Sequence, residues 1–144
     1  MYDKTEDDPR YLAGVLFFNQ RAFFEAHEVW EDLWADTQGP ERRFYQGLIQ
    51  AAVGLYHYSN GNLRGARKLF GTSQAYMKPF GDLHRGLDVK LFWEQMSRCF
   101  QDVLAAEDLD RNLRPEADSI PVIALSPEPA EWPDPEDYVD SKDE

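Results

Sequence analysis

The run FFEAHEVWEDLW places His27 four residues before Glu31, with Trp34 one turn further on. On a helix, residues at i and i+4 lie one above the other, so an imidazole and a carboxylate at this spacing can share a proton or an ion. Stepping roughly 100° per residue puts Phe23, Trp30 and Trp34 at the centre of an apolar arc. Ala26 and Leu33 extend the arc on one side and His27 forms its other shoulder. Glu31 comes next, between His27 and Phe24, while Glu25, Glu28 and Asp32 fall on the solvent side. A carboxylate at the edge of an aromatic core loses hydration and needs a partner. A buried His–Glu pair meets that need and favours imidazolium and ionised carboxylate together.

The next helix offers a second set. Over residues 43–58 it is apolar on most sides, yet Arg43, Gln46, Gln50 and His57 gather in one narrow arc beside Gly47, Ala51 and Gly54. The small residues allow a close neighbour. If the helix carrying His27 packs there, His27, Glu31, His57, Arg43, Gln46 and Gln50 share one polar pocket, with Trp34 as a wall. The same arc also reads as the single solvated strip of a buried helix.

Three chemistries compete for the pair. It can be a satisfied structural pair that fixes a helix crossing. It can bind a divalent ion, zinc, manganese or iron, with His27, Glu31 and His57 as ligands. It can act as a base, His27, oriented by Glu31. Two firm ligands are few for a metal. A di-iron bundle needs Glu-x-x-His on two helices, and H-E-x-x-H fails because Glu31 stands where the second His belongs. No Ser or Cys lies near the motif as a nucleophile. Cys99 falls on the apolar side of a later helix and reads as a packing residue.

The elements that must hold these residues follow from periodicity and punctuation. Pro9 opens a helix over 9–19, Asn19-Gln20 bends the chain, and a second helix runs from about Arg21 to Ala35. Thr37-Gln38-Gly39-Pro40 closes it. Pro40 and Glu41 suit the first turn of a third helix, which ends at Asn60-Gly61. Asn62 caps a fourth that stops at Lys78-Pro79. Residues 80–87 are a connection. Asp88 caps a fifth helix carrying Val89, Phe92, Trp93, Met96, Phe100 and Val103 to about Glu107. The expectation is an all-α fold: a compact bundle of about five helices over 9–107, then an extended Pro-rich acidic tail over 108–144.

Composition narrows the function classes. The net charge of −12 is uneven: residues 10–106 carry +1 and residues 107–144 carry −10. A near-neutral body argues against nucleic acid as partner. Five Lys against fifteen Asp leave halophily open beside the simpler reading of an acidic tail. No apolar run is long enough to span a membrane, and there is no charged-then-apolar leader. With a single cysteine, a cytoplasmic setting is expected, and a homo-oligomer is open. Six of nine prolines lie between Pro115 and Pro135. Charge alone argues for disorder there. Ile120, Val122, Ile123, Leu125, Trp132 and Tyr138 argue for docking on the body or on a neighbouring chain.

FNQRAFFEAHEVWEDLW followed by RRFYQGLIQAAVGLYHYSNGNLRGARKL resembles the helical domain-of-unknown-function family numbered 309, of bacteria and archaea. Its H-x-x-x-E-x-x-W/Y hallmark corresponds to His27, Glu31 and Trp34. The Q-G-L-I, the later His and the G-N-x-x-G-A turn correspond to Gln46–Ile49, His57 and Gly61-Asn62…Gly65-Ala66. The resemblance spans residues 17–70 and leaves out the tail. It implies an all-α fold and metal binding by the His–Glu motif. The sequence thus predicts a small helical protein with a His/Glu polar pocket that binds a divalent metal, or an interaction or structural module in which the pair only fixes packing.

Overall fold

The computed structural model describes residues 7–139 and contains six α-helices among them, with one small hairpin. Helix α1 spans Pro9–Asn19, α2 Phe23–Ala35, α3 Glu41–Ser59 and α4 Leu63–Met77. Strands β1 (Leu83–His84) and β2 (Leu87–Asp88) precede α5 (Val89–Cys99) and α6 (Gln101–Ala105). The expected all-α bundle is observed. Residues 1–6, and residues 140–144 of the expected tail, lie outside the described residues.

Asp8 starts α1 by accepting from the Arg10 backbone N–H (2.9 Å), with Pro9 in the first turn. Burial pushes the Asp8 carboxyl up, but hydrogen bonds from Arg10 outweigh it and hold it below its ordinary value. Its contribution to stability is therefore present at neutral pH and fades as pH falls through that lowered value. The same Arg10 reaches the end of α2, donating to the Asp32 carbonyl (3.2 Å) and pairing with Asp36 (2.7 Å).

Helix α2 begins at Phe23 and not at Arg21, because Arg21 adopts a left-handed φ of 65° that cannot start a right-handed helix. The buried Trp30 Nε1–H donates to the Tyr11 carbonyl (3.1 Å), locking α2 onto α1. A Cβ on Gly14 would overlap the Trp30 indole, so this crossing requires glycine.

Helix α3 packs against both α2 and α4. Its small residues face α4, not α2 as the sequence suggested. Ser73 Oγ, fully buried, donates to the Gly47 carbonyl (2.6 Å), and Gly54 lies under Leu69 and Ala66. A projection of one helix shows where a close neighbour fits but not which neighbour arrives.

The expected connection 80–87 contains the hairpin. His84 pairs with Leu87, leaving Arg85-Gly86 as a two-residue loop with φ of 49° and 76°. Two positive φ values are what a tight antiparallel hairpin of this length uses. The expected long fifth helix breaks at Phe100, whose buried ring packs on Tyr58 and Phe70 at 5.2 and 5.1 Å between centroids.

Beyond α6 the chain runs back over the bundle. Pro121, Ile123 and Leu125 are buried while Val122 and Ala124 are exposed, the alternation of an extended segment. Asn19 clamps it: its Nδ2 donates to the Ile123 carbonyl and its Oδ1 accepts the Ile123 N–H, both at 2.8 Å. The Ser126 N–H donates to the Gly86 carbonyl (2.8 Å), and a short turn at Pro135–Tyr138 packs on α1. Asn19→Ala leaves both Ile123 backbone groups without this partner. The expected loss is about 1–3 kcal/mol, with faster amide exchange at Ile123 than in wild type. Unchanged exchange would show that the clamp does not hold the segment.

Candidate functional site

His27 and Glu31 form the pair anticipated from their spacing, with Nε2 and Oε1 3.2 Å apart. His27 Nδ1 faces the Phe24 carbonyl at 3.1 Å. A carbonyl only accepts, so Nδ1 carries a proton and Nε2 is the nitrogen turned to Glu31. Both polar contacts stay within α2. The pair does not bridge to α3, and the Glu31 side chain is 54 % exposed where the sequence suggested burial. The carboxylate extends past the aromatic edge into solvent and needs no buried partner.

His57 has a different task. Asn62 caps α4 by accepting the Gly65 N–H (3.0 Å), and its Nδ2 donates to His57 Nδ1 (3.3 Å). The Asn62 N–H donates to the His57 carbonyl (2.8 Å). A Cβ on Gly65 would come within 2.6 Å of Asn62 Nδ2 and 2.9 Å of His57 Cδ2. His57, Asn62 and Gly65 therefore make one helix–turn–helix junction, which gives the Gly-Asn-x-x-Gly-Ala turn a structural reason. Rings, not polar groups, connect the two histidines: His27, Phe24, Tyr56 and His57 follow each other at 5.3, 5.6 and 6.2 Å. Among the described residues no three of His, Cys, Asp or Glu gather where they could hold a metal ion.

Four of the anticipated pocket residues do share a cleft. Glu31, Trp34, Arg43 and Gln46 line about 620 Å³ together with Gly39, Pro40, Arg42 and Tyr76. Helices α2 and α3 supply two walls, Tyr76 of α4 a third, and the Gly39-Pro40 turn closes one end. The Arg42 guanidinium lies 3.7 Å from the centre of the Trp34 ring, and that of Arg43 lies 5.5 Å from the Tyr76 ring. Gln50 is not a lining residue. It takes a hydrogen bond from Thr72 Oγ1 and ties α3 to α4.

The sequence reading missed a second polar cluster. Glu41 accepts from Arg85 Nε and meets His84 Nε2 at 2.7 Å. Arg85 also pairs with Asp7 (3.1 Å), while its carbonyl accepts the Tyr11 hydroxyl (3.0 Å). The His84 ring sits 4.6 Å from Phe44 and 4.8 Å from Phe80. These contacts fasten the hairpin to the start of α3. The Arg85-Gly86 dipeptide was the available signal, weaker than Asn-Gly because Arg rarely takes positive φ. Cys99 is buried as expected, and burial pushes its thiol up to about 11, far from a reactive thiolate.

Residues 11–69 match the family model described as "Domain of unknown function (DUF309)". The resemblance read from the hallmark is thus borne out over a segment running from α1 to α4. An uncharacterised protein of Bacillus subtilis (strain 168), YpuF, is 36 % identical over 108 residues, 72 % of this chain and 59 % of that protein. An uncharacterised protein of Aquifex aeolicus (strain VF5) is 29 % identical over 73 residues, 50 % of this chain and 22 % of that protein. The chain spans less than two thirds of the length of either relative.

The two acid–His contacts predict stability losses of unequal size. Glu31→Gln removes a half-exposed intrahelical pair and should cost under about 1 kcal/mol. Glu41→Gln weakens two contacts that hold the hairpin and should cost about 1–3 kcal/mol. Urea melts of both variants check this; a larger loss from Glu31→Gln would make its pair the structural one.

Proposed function

We propose that this protein is a non-enzymatic binding module whose working surface is the α2–α3 cleft. The observation that carries the reading is the convergence of hallmark residues Glu31 and Trp34 with Arg43 and Gln46 on one open cleft of about 620 Å³. That volume is in the range of small-molecule sites. The lining offers flat rings, two guanidiniums, an amide and a carboxylate, groups that bind and orient. His27 stands behind Glu31 with Nδ1 on the Phe24 carbonyl and Nε2 3.2 Å from the carboxylate, at the rim of the cleft and not among its lining residues. A cytoplasmic setting fits the single buried thiol. No helix among the described residues is long and apolar enough to cross a membrane.

The second reading, a divalent ion on His27 and Glu31, has one specific support. A His Nδ1–H held by a carbonyl is the usual arrangement behind a metal-binding Nε2. Two ligands at about 2.0–2.1 Å from a tetrahedral zinc stand roughly 3.3 Å apart, close to the 3.2 Å found here. The third expected donor, His57, does not join them: among the described residues no three of His, Cys, Asp or Glu gather where they could hold a metal ion. A metal here would rest on two protein ligands and supply Lewis acidity at the cleft's edge.

A fragment screen read by backbone and indole NMR shifts tests the main reading. Hits should cluster on Trp34, Gln46 and Tyr76, and hits scattered elsewhere would sink it. Zinc titration tests the second. Saturable shifts of the His27 ring nitrogens that vanish in Glu31→Gln would establish the metal site, and their absence would remove it.

A further inference from the structure

We infer that the cleft takes a phosphate group carried by a small molecule, bound by Arg42, Arg43 and Gln46. This rests on reading the cleft as the working surface and names its ligand class. Arg42 and Arg43 occupy the first turn of α3, where the helix dipole is positive and cations are disfavoured. Asp or Glu is the ordinary choice there, and Glu41 is already committed to His84 and Arg85. Arg10 and Arg85 each pair with carboxylates, yet among the described residues Arg42 and Arg43 meet none. Each instead lies against a ring, Arg42 on Trp34 and Arg43 over Tyr76. Contact with a ring occupies the flat face of a guanidinium and leaves its in-plane N–H fork free. Two exposed guanidiniums lining one cleft, set against the dipole and without a carboxylate partner among the described residues, are a charge arrangement that an anion completes.

The lining selects among anions. Gln46 lies one turn beyond Arg42 and Arg43 and adds an amide donor to the same cleft. Two forks and an amide suit the several oxygens of a phosphate better than the two of a carboxylate. Two positive charges also match a dianion. The nearby carboxylate, Glu31, is turned to His27, which limits its repulsion of the ligand. Trp34 and Tyr76 leave room for the organic part of a phosphate ester.

The test is a titration of the full chain followed on the Arg Nε–H and Trp34 indole N–H signals. Inorganic phosphate, glycerol 3-phosphate and acetate are compared at matched ionic strength. Glycerol 3-phosphate should give saturable shifts at Arg42, Arg43 and Trp34, at least tenfold tighter than acetate and tighter than inorganic phosphate. Arg42→Gln/Arg43→Gln should weaken this tenfold or more with melting unchanged, while Arg111→Gln, at an exposed site, should leave it intact. Linear shifts, equal binding of acetate, tighter binding of inorganic phosphate, or a double variant that binds like wild type would each overturn the inference. If these fail while fragments still map to the cleft, only the ligand class is wrong; if fragments fail as well, the cleft is not the working surface.

Discussion

The structure depends first on one buried hydrogen bond, from the Trp30 indole to the Tyr11 carbonyl. An indole N–H taken out of water must find an acceptor. Tyr11 supplies one only because Gly14 lets the ring lie flat against α1. This contact fixes the roll of α2 about its axis. With Trp30 inward, Trp34 comes to the edge of the core, and His27 and Glu31 reach the rim. The placement of the rim residues is therefore set by a buried residue that does not itself line the cleft.

Helix α3 converts that roll into a cleft. It packs closely on α4 along Gly47 and Gly54, with Ser73 bonded to the Gly47 carbonyl. On its other side it meets α2 through large side chains. Small residues on one side and large ones on the other follow the sequence of α3. Space remains near the start of α3, where Gly39-Pro40 turns the chain and the side chains of Trp34, Arg42 and Arg43 are long. The Glu41–Arg85–His84 cluster and the Arg10–Asp36 pair hold the ends of α3 and α2 that border this space.

What could be read from the sequence follows the same division. Helices announced by Pro9, Gly39-Pro40, Asn60-Gly61 and Asp88 were legible, because caps and breakers act locally. The apolar face of α2 was legible too, since Phe23, Ala26, Trp30 and Leu33 are buried, but Glu31 is exposed where its place beside the arc suggested burial. Three features were not. The small stripe of α3 shows that something approaches closely, and only tertiary packing decides that it is α4. His57 looked free because its partner, Asn62, had been assigned only to capping α4. The hairpin was hidden because Arg85 takes a left-handed φ that its ion pairs and the Tyr11 hydroxyl support, all distant in sequence.

The hallmark itself gains a different meaning from this geometry. A His and an acid one turn apart invite a metal reading when seen alone. In place, the imidazole is tied to its own helix through the Phe24 carbonyl, and its other nitrogen holds a largely exposed carboxylate. Its link across the seam runs through the ring of Phe24, on its own helix, which meets Tyr56 of α3. Such a histidine stands beside Glu31 at the α2 edge of the cleft. On the proposed reading of the cleft as a binding surface, the motif sets Glu31 beside His27 at the rim, and Trp34 gives Arg42 a flat surface in place of a counter-ion.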